Sequence, residues 1–406
     1  MPIKDKIEGG SHKDEKPKMR KPFGIFVITR HGLEIGRKLS AQLPGAELLV
    51  SKRFIDQAPA GSVKLPLPFS PFLREHFEDY DCHIFIISVG AVVRMIAPLL
   101  KSKKTDPAVV CIDDASQFAI CLLSGHVGRG NAFTGQIAEA IGAQPVITTA
   151  SDVRGTLTVD ILGRDLGWAL EDPEHNVTRG CAAVVNECNV LFVQETGEPG
   201  FWPEDKPLPP GVSYQRDLRN IDLTQWEMVL IASDRDIRNL HPEIYAQGLV
   251  YRPKSLVIGL GCDKNTPFEL LERGVLKFLQ ENRLALASVK SIATIDIKKE
   301  EPGLLTLSEK YGWPMEHWPA SELDVVEGVE NRSEIVKKYT GTAAVAEPAC
   351  LLGAGASKLL LPKQKYTEPE IGKNMTMSVA RIPFGGRVQD IKQKSLRDEK
   401  GMRING

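Results

Sequence analysis

The stretch AVVCIDDASQFAICLLSGHVGRGNAFTGQIAEAIGAQPVITTASD, residues 108–152, sets the fold class. Its apolar runs AVVCID (108–113) and FAICLLS (118–124) have strand length, and a tight turn at 114–116 joins them. The glycine-rich bend GHVGRGN leads into a helical pattern over 132–141, which stops at Gly142 before a further strand, PVITT, at 145–149. Upstream, FGIFVIT (23–29) predicts a strand, and Leu33, Ile35, Leu39 and Leu43 then mark a helix that stops at Pro44-Gly45. HIFIISV (83–89) is apolar throughout, as expected of a parallel strand covered on both faces. Gly90 ends it, and AVVRMIAPLL follows as a helix. Strands and helices alternating at these lengths predict an open α/β sheet domain over residues 23–152.

The texture changes at about residue 153. Strand candidates CNVLFVQ (188–194) and EMVLIAS (227–233) flank a proline-rich loop at 199–210, which predicts a small middle α/β domain over 153–252. SLVIGLG (255–261) opens a C-terminal α/β domain over 255–382. There, a helix starts at Thr266-Pro267 and runs to Asn282, a strand covers 289–295, helices lie near 301–311 and 333–339, and LLLP and TMSVAR are strands. Residues 1–22 mix charge with Pro and Gly without an apolar core, and so read as a disordered leader. Residues 383–406 read as a flexible tail.

Composition excludes several functions. Among 406 residues, 51 basic side chains meet 52 acidic ones, so the chain lacks the broad positive field of a nucleic-acid or anionic-lipid binder. Its longest apolar run, near 84–93, is too short to cross a bilayer and ends at Arg94. Neither nucleic acid nor membrane is expected as a partner. The seven cysteines are odd in number and contain no C-x-x-C pair, which argues against a disulfide framework and a structural zinc site. No metal site is expected, and the cytoplasm is the expected compartment.

The chemistry-bearing residues concentrate in the opening stretch. Asp113 and Asp114 stand at the end of one strand, and Ser124 and His126 at the end of the next. If both ends face the crevice outside the carboxyl ends of the sheet, the four converge. His126 is then the candidate general base or acid, with Asp113 or Asp114 orienting it or a water, Ser124 as a hydrogen-bonding partner, and Asp113 as the rival base. Gly125, Gly128 and Gly130 would leave amides exposed at a helix N-terminus to hold a carboxylate or phosphate. Asn131, Thr148, Thr149 and Asp152 extend that candidate binding surface. A plain strand-to-helix turn with a satisfied histidine would use the same residues.

Familiar alternatives fail. Gly125 to Gly130 spells G-x-x-x-x-G, but Asn131-Ala132 replaces the Lys-Ser/Thr of a P-loop. Leu122 excludes a G-x-S-x-G elbow, and Lys264 stands where a dinucleotide fingerprint beginning at Gly259 and Gly261 needs its third glycine. Gly90 and Arg94 are expected at a strand's carboxyl end, with Arg94 in the first helical turn, where a guanidinium can grip a carboxylate or simply be a solvated charge. In the last domain Gly261, Cys262, Thr266 and Glu347 lie near predicted turns. Glu347 also reads as a helix-start carboxylate.

These segments resemble the CbiG family, the cobalt-precorrin-5A hydrolases of anaerobic cobalamin synthesis. The likeness rests on GAVVRMIAPLL and the 108–152 stretch, and on VIGLGCDKNTP, SIATIDIKKEEPGL and AVAEPACLLGAGASKLLLPKQK; it covers roughly residues 23–381. Asp263-Lys264-Asn265 departs from the family's usual basic pair and glycine after Gly-Cys. The resemblance implies a cobalt-corrinoid substrate whose δ-lactone is opened by water, with the extruded carbon leaving as acetaldehyde. It implies no cofactor, since cobalt arrives inside the substrate. The last domain also resembles a small standalone protein of the aerobic pathway. A non-catalytic corrinoid carrier is the competing reading. A homodimer, and transient contact with other enzymes of the pathway, stay open.

Overall fold

The computed structural model describes residues 19–151, 155–203 and 205–385. The expected leader, up to residue 18, the tail from residue 386 and the candidate Asp152 lie outside the described residues. The chain divides into two compact units, Met1–Arg154 and Gly155–Gly406. Among the described residues they carry three mixed sheets, one in the first unit and two in the second.

The first unit is a seven-stranded sheet in the order β3-β2-β1-β4-β5-β6-β7. Its strands are β1 (Lys21–Val27), β2 (Ala46–Ser51), β3 (Val63–Leu65), β4 (Tyr80–Ile86), β5 (Ala108–Ile112), β6 (Phe118–Leu123) and β7 (Gln144–Val146). β1 begins two residues inside the expected leader, because Lys21 pairs in register with Tyr80 and its ammonium bonds Glu47 at 2.7 Å. β1 to β5 run parallel, β6 turns back against β5, and β7 runs with β6.

Helices cover both faces, which explains the unbroken apolar runs. On one face, Leu33 and Leu39 of α1 (Arg30–Gln42) and Ile137 and Ala138 of α4 (Gly130–Ile141) pack on Ile25, Val27, Ile84 and Val110. On the other, Leu73 of α2 (Ser70–His76) and Val92 and Ile96 of α3 (Val89–Ile96) pack on Phe26, Phe85 and Val109. Each of these side chains larger than alanine contributes about 1.5–3 kcal/mol on burial. The chain leaves β1 for one face through α1, and leaves its neighbour β4 for the other through α3. This divergence makes the carboxyl ends of β1 and β4 a topological switch point.

The second unit carries two five-stranded sheets. The first, ordered β10-β9-β11-β12-β8, comprises β8 (Ala169–Glu171), β9 (Val190–Gln194), β10 (Val212–Gln215), β11 (Met228–Ala232) and β12 (Gly248–Arg252); only β8 is antiparallel to its neighbour. The second, ordered β15-β14-β13-β17-β16, comprises β13 (Leu256–Cys262), β14 (Val289–Ile295), β15 (Met315–Trp318), β16 (Leu361–Glu368) and β17 (Lys373–Arg381). β16 and β17 form a longer hairpin than LLLP and TMSVAR suggest, because the polar KQKYTE segment continues the ladder at the sheet edge. Buried Asp234, after β11, ties the two sheets together: it accepts two bonds from Arg381 at 2.7 Å each and one from Ser255 at 2.8 Å. Gly259 of β13 brings the helix Ala346–Ala354 close, since a Cβ there would lie 1.8 Å from the carbonyl oxygen of Ala346.

Candidate active site

A cavity of about 570 Å³ opens at the switch point of the first unit. Thr29 enters it from the end of β1, Ser88 from the end of β4, and Asp113 and Asp114 from the end of β5, over an apolar floor that includes Phe69, Ile86 and Met95. Cys111 also lines it. Burial pushes this thiol up to about 11, and it donates to the carbonyl of Ile87 at 2.8 Å, so it is no nucleophile at neutral pH.

The two aspartates do different work. Asp113 accepts the amides of Ala115 at 3.1 Å and Phe118 at 2.6 Å, and so staples the β5–β6 turn. Asp114 faces outward: Oδ1 accepts from Thr29 Oγ1 at 2.9 Å, and Oδ2 lies 3.2 Å from Nδ1 of His31. Against a carboxylate, Nδ1 carries the proton, which leaves Nε2 of an exposed imidazole as a base. Thr29 also caps α1 by accepting the Gly32 amide at 2.9 Å. The N-termini of α1 and α3 both face this end of the sheet, where they favour negative charge. Ser88 lines the cavity and makes no side-chain cap bond to α3.

The expected convergence of His126 and Ser124 with the aspartates does not occur. The turn between β5 and β6 spans only residues 113–117, too short for a parallel crossover, so β6 runs antiparallel, with Ala119 opposite Ile112 and Leu123 opposite Val109. The five steps between its six residues, at about 3.4 Å each, carry the chain away from the cavity, by roughly 17 Å, to the amino ends of the parallel strands. There Ser124, at a φ of 55°, donates to the carbonyl of Asp106, the residue two places before β5. His126 Nε2 meets Ser151 Oγ at 2.9 Å, and Asn131 donates to Thr149 Oγ1 at 2.9 Å. Thr148 is exposed beside them.

The glycine loop is likewise not an open anion nest. The amides of Arg129, Gly130 and Asn131 donate to the loop's own carbonyls at His126, Ser124 and Gly125. Gly128 and Gly130 are needed for this tight turn: a Cβ at Gly128 would lie 2.4 Å from that of Ser124, and one at Gly130 2.7 Å from the carbonyl oxygen of Leu123. Gly125 has the same role, facing the Asn131 side chain.

Other expected binding residues are placed differently too. α3 begins at Val89, so Gly90 lies within the helix rather than at the strand end, and Arg94 falls in the last turn, not the first. Its guanidinium folds back on the carbonyl of Gly90 at 2.8 Å and does not line the cavity. In the second unit, Gly261 and Cys262 end β13, and burial pushes the Cys262 thiol up to about 11. Thr266 is buried and donates to the carbonyl of Asp263 at 2.8 Å. Glu347 is fully buried and accepts the amides of Glu330, Asn331 and Lys363 and the side chain of Asn331, all at 2.7–2.8 Å, so it braces loops instead of meeting a ligand. Burial alone would raise this carboxyl, but those hydrogen bonds outweigh it and hold it below the usual range.

Thr29, His31, Ser88 and Ser151 escaped the sequence reading. Thr29 and His31 directly follow the first strand, but nothing in the pattern says that β1 lies beside β4 and near β5. Ser151 lies 25 residues from His126 with no spacing signal. No group of three or more residues able to hold a metal occurs among the described residues, and none of their helices is long and apolar enough to cross a membrane.

Three family models match in order: Cobalamin synthesis G N-terminal over residues 71–152, Cobalamin biosynthesis central region over 157–253, and Cobalamin synthesis G C-terminus over 256–380. The chain belongs to the CbiG family. Among CbiG relatives, the cobalt-precorrin-5A hydrolase of Priestia megaterium is 40% identical over 373 residues, which is 90% of this chain and 96% of that protein. The cobalt-precorrin-5A hydrolase of Salmonella typhimurium is 31% identical over 81% of this chain and 91% of its own. Protein CobE of a Sinorhizobium species, 35% identical over 107 residues, matches 26% of this chain and 70% of its own length.

Proposed function

We propose that this protein hydrolyses cobalt-precorrin-5A in cobalamin biosynthesis, opening the lactone and releasing acetaldehyde to leave cobalt-precorrin-5B. The observation that carries this reading is the 40% identity to a cobalt-precorrin-5A hydrolase across 90% of the chain. Cobalt enters as part of the substrate. The odd cysteine count and seven free thiols suit the reducing cytoplasm.

We assign the chemistry to the switch-point cavity together with the exposed imidazole that its lining residue Asp114 holds. His31, held through Nδ1 by Asp114, takes a proton from water at Nε2 as the water oxygen adds to the lactone carbonyl. The developing oxyanion is favoured by the N-termini of α1 and α3 and by the Ser88 hydroxyl. When the ring C–O bond breaks, the imidazolium returns the proton to the departing alkoxide, which gives a free hydroxyl and a carboxylic acid that then loses its proton to solvent. That hydroxyl becomes the carbonyl of acetaldehyde as its C–C bond to the macrocycle breaks, the bonding electrons staying on the macrocycle, which takes up a proton. The cavity volume suits the reacting edge of a corrinoid rather than all of it.

The test is incubation of the purified protein with cobalt-precorrin-5A, following acetaldehyde and the absorption spectrum. Acetaldehyde in proportion to substrate consumed supports the hydrolase. A spectral binding signal without acetaldehyde would make the protein a corrinoid carrier.

A further inference from the structure

The second unit holds a hollow of its own, about 740 Å³, separate in chemistry from the cavity described above. Its floor is apolar, built from Leu276 and Leu279 of the helix Phe268–Glu281 together with Leu284 and Trp313. Leu276 is 38% exposed, an aliphatic surface in contact with solvent. Trp313, 3% exposed, is stacked on the half-buried Tyr311 with ring centroids 4.5 Å apart, so this side of the hollow is firmly packed.

Two arginines at the hollow are paired with carboxylates, whereas among the described residues Asp236 and Lys254 meet no opposite charge. Arg252 is 1% exposed, bonds Glu171 and donates to the carbonyls of Ser233 and Arg235. Arg238 bonds Asp172 at 3.2 Å and the hydroxyl of Tyr245. Asp236 accepts the amide and side-chain nitrogen of Asn239. Lys254 lines the same hollow half-buried. Among the described residues, none forms a hydrogen bond or ion pair with its ammonium. It stands on a fixed connection, between buried Pro253 and buried Ser255, whose amide bonds the carbonyls of Pro253 and Ser288 at 3.0 Å. Partial burial of an ammonium without a counter-charge is unfavourable, and its pKa is lowered for that reason. A carboxylate delivered from solution would remove the cost.

We propose that this hollow binds a largely apolar ligand bearing carboxylates, its body lying against Leu276 and the half-buried Tyr311 and one carboxylate meeting Lys254. Given the function proposed above, on which the ligand's identity rests, the ligand is the corrinoid with its acid side chains. The second unit thus carries a corrinoid-binding surface of its own.

The test titrates the full chain with dicyanocobyrinic acid, which has free carboxylates, and with its heptamethyl ester, reading tryptophan quenching and the corrin absorption bands. Lys254→Met is expected to weaken binding of the acid about tenfold, the loss of one charge-assisted contact, with the ester little changed and Lys254→Arg restoring the acid. Leu276→Asp, at an exposed position that the fold tolerates, is expected to weaken both. Wild-type affinity for the acid in both Lys254→Met and Leu276→Asp overturns the proposal, as does equal binding of acid and ester by the wild type. Acetaldehyde release by the wild type is measured on the same preparation. Its absence, with Lys254-dependent binding intact, counts against the hydrolase reading and leaves the site standing. Turnover with Lys254-independent binding counts against the site alone.

Discussion

Thr29 Oγ1 donates to Asp114 Oδ1 at 2.9 Å and accepts the amide of Gly32 at 2.9 Å, so one hydroxyl both caps α1 and holds the carboxylate that orients His31. Thr29→Val keeps the shape and removes both bonds. The expected result is a loss of about 1 kcal/mol of stability, the usual worth of an N-cap, together with lower turnover at unchanged substrate affinity. Thr29→Ser should retain stability and turnover. Thermal unfolding and acetaldehyde release on the same variants check this, and wild-type turnover in Thr29→Val would show that Asp114 does not depend on it.

His31 and His126 make opposite predictions because β6 carries His126 to the other end of the sheet. His31→Asn should lower kcat by about a hundredfold or more, the usual scale of general acid-base assistance, with the fold intact because the side chain is exposed. His126→Asn removes a contact with buried Ser151, so it should lower stability more than turnover. Stopped-time acetaldehyde assays beside unfolding curves separate the two. Full activity in His31→Asn with loss in His126→Asn would move the chemistry to the β6–α4 loop.

The contrast shows what the sequence could and could not say. Continuous apolar runs such as residues 83–89 revealed strands buried on both faces, and the alternation with helices revealed the α/β class, since burial and period are local properties. The direction of β6 was also written locally, in a connection of five residues that cannot cross over, but treating every strand end as equivalent hid it. Strand order was not local. That β1 lies between β2 and β4, which brings Thr29 and His31 to Asp114, follows from packing across eighty residues of chain. Glu347 does start a helix, as its place before Pro348 suggests, but its reading as a binding residue failed for a similar reason: its four donors come from Glu330, Asn331 and Lys363, distant segments that no local pattern foretells.

Glu347→Ala would leave those donors buried without an acceptor. A loss of about 3 kcal/mol or more is expected, because unsatisfied buried groups cost about 1–3 kcal/mol each and the gap cannot be refilled by a shorter side chain. In denaturant titrations the second unit should unfold earlier than in the wild type. A shift under about 0.5 kcal/mol, the range of ordinary surface changes, would mean that water replaces the carboxylate and that the site is less sealed than its zero exposure indicates.

His83 should give the first unit a defined acid sensitivity. It is fully buried between Phe26, Phe77, Tyr80 and Phe85, with Nε2 donating to the carbonyl of Phe77 at 2.9 Å, and burial lowers its pKa to about 4. In the unfolded chain the value returns to about 6.5. Between these values the unfolded state binds a proton that the folded state refuses, so stability falls as the pH drops from about 6.5 towards 4. At about 1.4 kcal/mol per pKa unit the loss approaches roughly 3 kcal/mol at the lower end. Carboxyls held low, such as Glu368 at about 2, act in a different window: their contribution is present above the ordinary carboxylate pKa and is lost only as the pH falls from there towards 2. His83→Phe, which keeps an aromatic ring in the cage, should therefore flatten the stability profile between pH 6.5 and 4 while leaving the steeper fall below pH 4 in place. Urea unfolding at half-unit pH intervals reads this directly. Parallel profiles for the variant and the wild type across pH 4–6.5 would show that the imidazole is not the group that titrates there.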